Sequence, residues 1–181
     1  MRHGWVGLSL GTLAACSGSN GEQVAVSGSV GGFTPSFAQS VSAAWPLPSA
    51  DGGTFNTFVV YLTSFVDGCA AVSTWAEHKS STTLELYIEG TAPGTYPMVN
   101  QPGGGEAFFH AWDASCQDQL EAVIDGGLQN AASSGQVVLT RTSPTLVGTF
   151  DLSFPSGHLT GQFGALLCSQ AANDAGGGAC Q

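Results

Sequence analysis

The sequence predicts a mainly β protein, built as an antiparallel β-sandwich or barrel of about eight or nine strands with one or two short helices. Two observations lead to this prediction. Short segments that alternate apolar with polar residues, or that are rich in β-branched and aromatic residues, recur along the chain. Turns rich in glycine and proline separate these segments, and the chain contains 26 glycines and 8 prolines.

In the first part of the chain, strands are predicted at residues 24–30, 37–45, 54–63, 84–89 and 96–99. Pro46 is expected to end the second of them. The third is rich in aromatic and β-branched residues and is predicted to be central. The fourth has one apolar face and one polar face that carries Glu85, Tyr87 and Glu89, which predicts a surface strand. Residues 67–81 do not alternate and are expected to form a loop or short helix.

Farther along, strands are predicted at residues 106–113, 137–140, 146–154 and 159–168. A short helix is expected over 115–126, because Ser115 and Asp118 have capping-box spacing and apolar residues follow at helical spacing. A tight hairpin at residues 155–157 joins the last two strands. The side chains expected to face the core lie on one face of these two strands: Leu146, Phe150, Leu152, Phe154, Leu159, Phe163, Ala165 and Leu167.

The composition excludes nucleic acid as a partner. The chain has 13 acidic residues against 3 lysines and arginines, for a formal net charge of −10, so polyanions are repelled. For the same reason, electrostatic attraction to anionic lipid head groups is not expected. Only 9% of the residues are charged, which predicts a neutral surface rich in hydroxyl groups.

The N-terminus has the layout of a signal peptide. Arg2 precedes an apolar run that is too short to span a bilayer, and the run ends in Leu13-Ala14-Ala15-Cys16. These four residues resemble the lipobox of bacterial lipoproteins. The resemblance implies that Cys16 becomes the first residue and carries lipid, which anchors the protein to a membrane. The alternative is an ordinary secretory signal followed by a chance cysteine.

The same resemblance implies a location, because the residue after the lipidated cysteine, Ser17, is not aspartate. In a Gram-negative cell this implies the outer membrane, with the domain facing the periplasm or the cell surface. The chain is then divided into a signal peptide (1–15), a lipidated flexible tether (16–23), a β-rich domain (24–168) and a small-residue tail (169–181). Residues 148–152 and 159–163, followed by Cys168, also resemble the C-terminal hairpin of uncharacterised β-rich bacterial lipoproteins, which implies a fold and no activity.

Four cysteines remain after Cys16, an even number in a chain predicted to be exported. Structural disulfides are favoured over metal binding, because no two of these cysteines have the C-x-x-C spacing of a zinc or redox site. Of the three possible pairings we prefer Cys69 with Cys168 and Cys116 with Cys180.

The sequence predicts no catalytic residue, no metal site and no cofactor. The nucleophile-elbow, H-E-x-x-H and S-x-x-K motifs are absent. His110 and Asp113 are three residues apart on a predicted strand and should point to opposite faces. Glu85 and Glu89 share a face but lie about 13 Å apart at the rise of a strand, so they are interpreted as a solvated surface.

Three functions of different class follow. The first is a lipid-anchored envelope protein whose domain is a non-catalytic structural or protein-interaction module. The second is a tethered domain that binds a glycan or an apolar ligand, because aromatic rings on a β-surface stack on sugars. Trp75 and Tyr87 are its candidate binding residues. The third is a hydrolase whose Ser, His and Asp residues only the fold brings together. The expected partners are the membrane, through Cys16, and an envelope protein or glycan.

Overall fold

The computed structural model describes residues 24–48, 54–66, 69, 78–99, 104–121, 123–124 and 127–168. The predicted mainly β class is confirmed. These residues form eleven strands: β1 (Ala25–Val30), β2 (Gln39–Pro48), β3 (Thr54–Thr63), β4 (Thr82–Ile88), β5 (Gly94–Pro97), β6 (Gly105–Ala111), β7 (Val123–Ile124), β8 (Gly127–Leu128), β9 (Ser134–Arg141), β10 (Thr145–Phe154) and β11 (Gly157–Leu167).

Nine of the strands form one sheet that curls into a nearly closed barrel. Its order is β5-β9-β10-β11-β2-β3-β4-β6, and β1 pairs with β11 beside this path. Strand β3 lies between β2 and β4, as its composition predicts. Met98, just after β5, makes a parallel bridge to Gly105 in β6, and Phe108 in β6 bridges to Ala131 just before β9. These contacts join the two ends of the sheet, so the architecture is the barrel rather than the sandwich.

The long strand β11 pairs with two different strands along the same edge, β1 and then β2. Its first half pairs antiparallel with β1, and its end pairs in parallel with β2 through Leu166 with Val41 and Leu167 with Ser42. The predicted antiparallel pairing holds for the other ladders of the sheet, and this short junction is the parallel exception. Side-chain hydrogen bonds support the short parallel ladder, because the Ser40 hydroxyl donates to the Gly164 carbonyl at 3.0 Å.

The barrel interior is filled by apolar side chains, because every second residue of each strand points inward. Phe109, Phe163 and Leu62 are among the largest of the fully buried side chains. Seven of the eight predicted inward residues of β10 and β11 are buried. The exception is Leu167, which is 51% exposed, because it is the last residue of β11 and the pairing of β11 with β10 ends one residue earlier.

Strand β2 continues past the point where the sequence predicts its end. It pairs with β3 as far as Pro48, through Pro46 opposite Asn56. On the other side, β2 pairs with β11 only at Val41 and Ser42. The missing N–H of Pro46 therefore removes no hydrogen bond from that side of the sheet, as proline requires in a strand.

The helix predicted over 115–126 is wrong for the described residues. The Asp113 carboxylate accepts hydrogen bonds from the backbone N–H groups of Ser115 and Gln117, and the Asp118 carboxylate accepts one from Leu120. Such local bonds stabilise turns in place of a helix. Within the described part of the chain, no helix is long and apolar enough to cross a membrane. Most of the predicted loop or helix at 67–81 lies outside the described residues.

Candidate functional site

Polar and aromatic side chains are grouped on the outside of the barrel, on β4 and β6. Leu84, Leu86 and Ile88 of β4 point into the core, so the residues that alternate with them point outward. The same holds for β6, where Ala107, Phe109 and Ala111 are inside. We call the resulting surface the outer β4–β6 face; its side chains are Glu85, Tyr87, Glu106, Phe108, His110 and Trp112, the last of which follows β6 directly.

His110 lies between two carboxylates on this face. Its Nδ1 is 2.7 Å from Asp118 Oδ2, and its Nε2 is 3.9 Å from Glu85 Oε1. The strand register places Glu85 opposite Phe108 and Thr83 opposite His110, so Glu85 and His110 are diagonal neighbours. The Asp118 contact is a hydrogen bond, whereas the Glu85 contact is too long for one.

Asp118 is the best-connected side chain of this group. It is 2% exposed and accepts hydrogen bonds from the backbone N–H groups of Ala111 and Leu120, at 3.2 and 3.0 Å, and from Asn130 Nδ2 at 3.2 Å. Together with the His110 bond, these contacts fix the carboxylate. They also tie the turn after β6 to the segment that precedes β9.

The pKa directions indicate that His110 and Asp118 form an ion pair. Burial raises the pKa of Asp118, but the bond to His110 and the backbone donors outweigh it, so this pKa lies below its usual value. Burial lowers the pKa of His110, but Asp118 and then Glu85 outweigh it, so this pKa lies above its usual value. Both shifts favour the charged forms.

Glu85 belongs to a second chain of hydrogen bonds. The Tyr87 hydroxyl donates to Glu85 Oε2 at 2.9 Å, and Tyr61 lies close enough to Glu85 and Tyr87 to interact electrostatically with both. Burial raises the pKa of Glu85 and outweighs the nearby His110 and the Tyr87 bond. Burial also raises the pKa of both tyrosines, so their hydroxyls stay protonated and remain donors.

Aromatic rings follow one another along the outer β4–β6 face. The rings of His110 and Trp112 are stacked, with centroids 5.2 Å apart and an interplanar angle of 9°. Phe108 lies next to His110 at 6.4 Å, and Tyr87 meets Phe108 edge to face at 6.0 Å. All four residues are half-buried, so each ring keeps part of its surface open to a ligand.

This arrangement lacks the nucleophile of a hydrolase triad. Among the described residues, the ring nitrogens of His110 contact the carboxylates of Asp118 and Glu85 and the amide of Asn130, not a serine, threonine or cysteine. The described residues also contain no group of three His, Cys, Asp or Glu side chains arranged to hold a metal ion. The geometry is suited to recognition by hydrogen bonds and ring stacking.

Tyr87, a predicted binding residue, and Glu85, predicted to be a solvated surface residue, can both be placed on this part of the barrel. Tyr87 lies on the outer β4–β6 face, half-buried against Phe108. Glu85 is 16% exposed and hydrogen-bonded, so its interpretation as a solvated residue is wrong. The other predicted binding residue, Trp75, and the predicted lipidation residue, Cys16, lie outside the described residues.

The predicted disulfide between Cys69 and Cys168 is confirmed, with a Cα–Cα distance of 5.6 Å. Both cysteines pack against a small apolar cluster on the outside of β2 and β3 that contains Val41, Val59 and Tyr61. Cys116 is also disulfide-bonded, and its predicted partner, Cys180, lies outside the described residues.

Asp118 is the residue that the sequence analysis missed. His110 had been compared with Asp113, but the carboxylate that it contacts is Asp118, eight residues along. Asp118 had been assigned to a helix cap, which removed it from consideration. One signal was present in the sequence: polar or aromatic residues occupy every second position from Glu106 to Trp112, on the face that a half-buried site requires.

A crevice of about 460 Å³ opens at one end of the barrel, next to this face. Two aromatic residues, Phe33 and Trp112, line it, together with hydroxyl-bearing residues from the loops around β4: Ser36, Ser64, Ser80, Ser81 and Thr82. Trp112 therefore belongs both to the outer β4–β6 face and to the crevice. A second groove, of about 440 Å³, lies over Gly148 and Gly164 near Arg141.

Comparison of the chain with protein-family models, curated proteins and solved structures gives no match. Its function is therefore inferred from the geometry of this face and from the N-terminal sequence.

Proposed function

We propose that this chain is an exported lipoprotein, anchored in the outer membrane through lipid on Cys16, whose β domain is a non-catalytic binding module. The lipobox-like Leu13-Ala14-Ala15-Cys16 supports the anchor. The Cys69–Cys168 disulfide supports export, because such bonds persist in oxidising compartments. Residues 16–23 provide a short polar tether between the lipid and the domain.

The observation that carries the binding role is the contrast between the two sides of the barrel wall. The interior is filled with apolar side chains, and the hydroxyls of the buried Ser40 and Ser42 donate to backbone carbonyls of β11. The outer β4–β6 face instead groups ionised, hydrogen-bonding and aromatic side chains that remain partly exposed. The partner proposed for this face is an envelope protein or a glycan. Nucleic acid is not proposed, because the net charge of −10 repels a polyanion.

The anchor is tested by replacing Cys16 with serine. Only the cysteine sulfur forms the thioether to lipid, so we expect Cys16→Ser to lose labelling completely when cells expressing the full chain are grown with a radioactive fatty acid. The wild type should be labelled and recovered with the outer membrane. Ser17→Ala serves as the control and should keep its label. Equal labelling of wild type and Cys16→Ser would refute the lipobox interpretation.

The binding surface is tested by photo-crosslinking in intact cells. A diazirine amino acid at Glu106, on the outer β4–β6 face, should give a discrete adduct with protein or glycan, seen as a shift in mobility of the full chain. The matched position is Asp151, an acidic residue exposed on the outside of β10, away from this face and outside both the crevice and the second groove. Identical patterns from the two positions would contradict the assignment of this surface.

A further inference from the structure

The barrel-end crevice has the size and lining of a small-ligand site. Its volume of about 460 Å³ lies within the range of about 300–1,000 Å³ that is typical of such sites. Phe33 and Trp112 supply aromatic surface, and Phe33 is 37% exposed. Five serine and threonine residues line it. Ser81 already donates to the His78 carbonyl and Ser64 accepts from Thr82 N, so Ser36, Ser80 and Thr82 supply the remaining hydroxyl groups. Aromatic rings bordered by hydroxyls match a ligand that has apolar C–H faces and many hydroxyls of its own.

The Glu85–His110 pair adds a donor and an acceptor on the other side of Trp112. The separation of 3.9 Å between His110 Nε2 and Glu85 Oε1 is too long for a direct hydrogen bond. A single hydroxyl oxygen can sit within hydrogen-bond distance of both atoms, accepting from His110 and donating to Glu85. The side chains are 17% and 16% exposed, so each keeps a small part of its surface accessible from outside the barrel.

The carboxylates beside the crevice already accept hydrogen bonds from neighbouring groups. The Asp113 carboxylate accepts hydrogen bonds from the N–H groups of Ser115 and Gln117 and from Gln119 Nε2. His110 lies between Asp118 and Glu85. An anionic ligand would meet these carboxylates without a free cation among the lining residues, and a cationic ligand would find them already engaged. The remaining polar groups favour a neutral ligand.

We propose that the crevice and the adjoining Glu85–His110 pair form one binding site for a neutral saccharide, with Trp112 between them as the stacking surface. This inference rests on the proposed binding function and names its ligand class. One sugar ring stacks on Trp112 from the crevice side, opposite Phe33. A hydroxyl of the same or the next sugar bridges His110 Nε2 and Glu85 Oε1.

The test uses the full chain, processed in a bacterial host and purified in mild detergent, and isothermal titration with three neutral hexasaccharides: chitohexaose, cellohexaose and maltohexaose. At least one should bind. Hexagalacturonate, which is anionic, and fully deacetylated chitohexaose, which is cationic, should bind at least tenfold more weakly than that neutral ligand. No binding by any of the three, or tighter binding of either charged oligosaccharide, would overturn the proposal.

Two variants, each with a matched control variant, test whether the ligand binds at this site. Glu85→Gln should weaken binding about tenfold, because it replaces two carboxyl oxygens by one weaker amide acceptor and a nitrogen that cannot accept. Its control is Asp151→Asn, because Asp151 also accepts from a histidine, His158, at 2.7 Å but lies on another part of the surface. Phe33→Ser should weaken binding similarly. Its control is Val66→Ser, since Val66 is likewise an exposed apolar residue, at 75%.

Thermal unfolding of each variant separates loss of binding from loss of fold. Phe33 is used instead of Trp112 because the Trp112 ring also packs on His110, so its replacement would disturb the barrel wall. Wild-type affinity in both Glu85→Gln and Phe33→Ser would refute this site. A discrete Glu106 crosslink together with no saccharide binding would reject the ligand class and leave the proposed binding function standing.

Discussion

Replacing Cys69 and Cys168 together with alanine is expected to lower the free energy of unfolding by about 4 kcal/mol, because their bond closes a loop across 99 positions of sequence. The cross-link reduces the conformational entropy of the unfolded chain more when the loop is long. It also secures the end of β11, where the parallel pairing with β2 includes only two residue pairs. Urea denaturation of both proteins under non-reducing conditions measures the difference.

A control separates this disulfide from the one that includes Cys116. Adding reductant should destabilise the wild type by more than it destabilises the double variant, because the variant has only the Cys116 bond left to lose. A free energy of unfolding within about 1 kcal/mol of the wild type would mean that the Cys69–Cys168 bond does not constrain the domain.

Asp118→Ala is expected to destabilise the protein by about 3–5 kcal/mol. The substitution leaves the half-buried His110 with only the more distant Glu85 carboxylate, at 3.9 Å, and removes the acceptor from three further donors: Ala111 N, Leu120 N and Asn130 Nδ2. The matched control is Asp151→Ala. Its pair with His158 has the same 2.7 Å separation, but the two side chains are 61% and 52% exposed, so we expect a loss of about 0.5 kcal/mol or less.

The pH dependence of the Asp118→Ala effect follows from the two pKa directions. Since the folded pKa of Asp118 is lowered, its contribution is present above its unfolded value of about 4 and is lost as the pH falls through the folded pKa. Since the folded pKa of His110 is raised, its contribution is present below about 6.5 and is lost as the pH rises through the folded pKa. The difference between wild type and variant should therefore be largest between about pH 4 and 6.5. A difference that stays constant from pH 3 to 9 would contradict the ion pair.

The main strands could be predicted from local residue patterns, because alternation between the two faces of a strand is a local property with a period of two residues. Phe150 and Leu152 face the core as that pattern predicts. The predictions failed where the local structure depends on the pairing of a neighbouring strand or on a hydrogen bond made by a side chain. Strand β2 continues through Pro46, where the sequence predicts its end, because β11 does not pair with β2 at that position. Asp118 lies in a turn instead of the predicted helix, because its carboxylate accepts a hydrogen bond from the backbone of that turn.

Closure of the sheet into a barrel could not be predicted from local patterns, since it depends on the long-range contact of Met98 with Gly105 at the two ends of the sheet order. The tertiary structure also decided the candidate site. The register of β4 against β6 places Glu85 diagonally from His110, and the turn after β6 brings Asp118 back to the same ring. Neither contact follows from local alternation, because each depends on which strands pair and in what register. The sequence therefore fixes which side chains point outward, and the pairing of strands determines which of them meet.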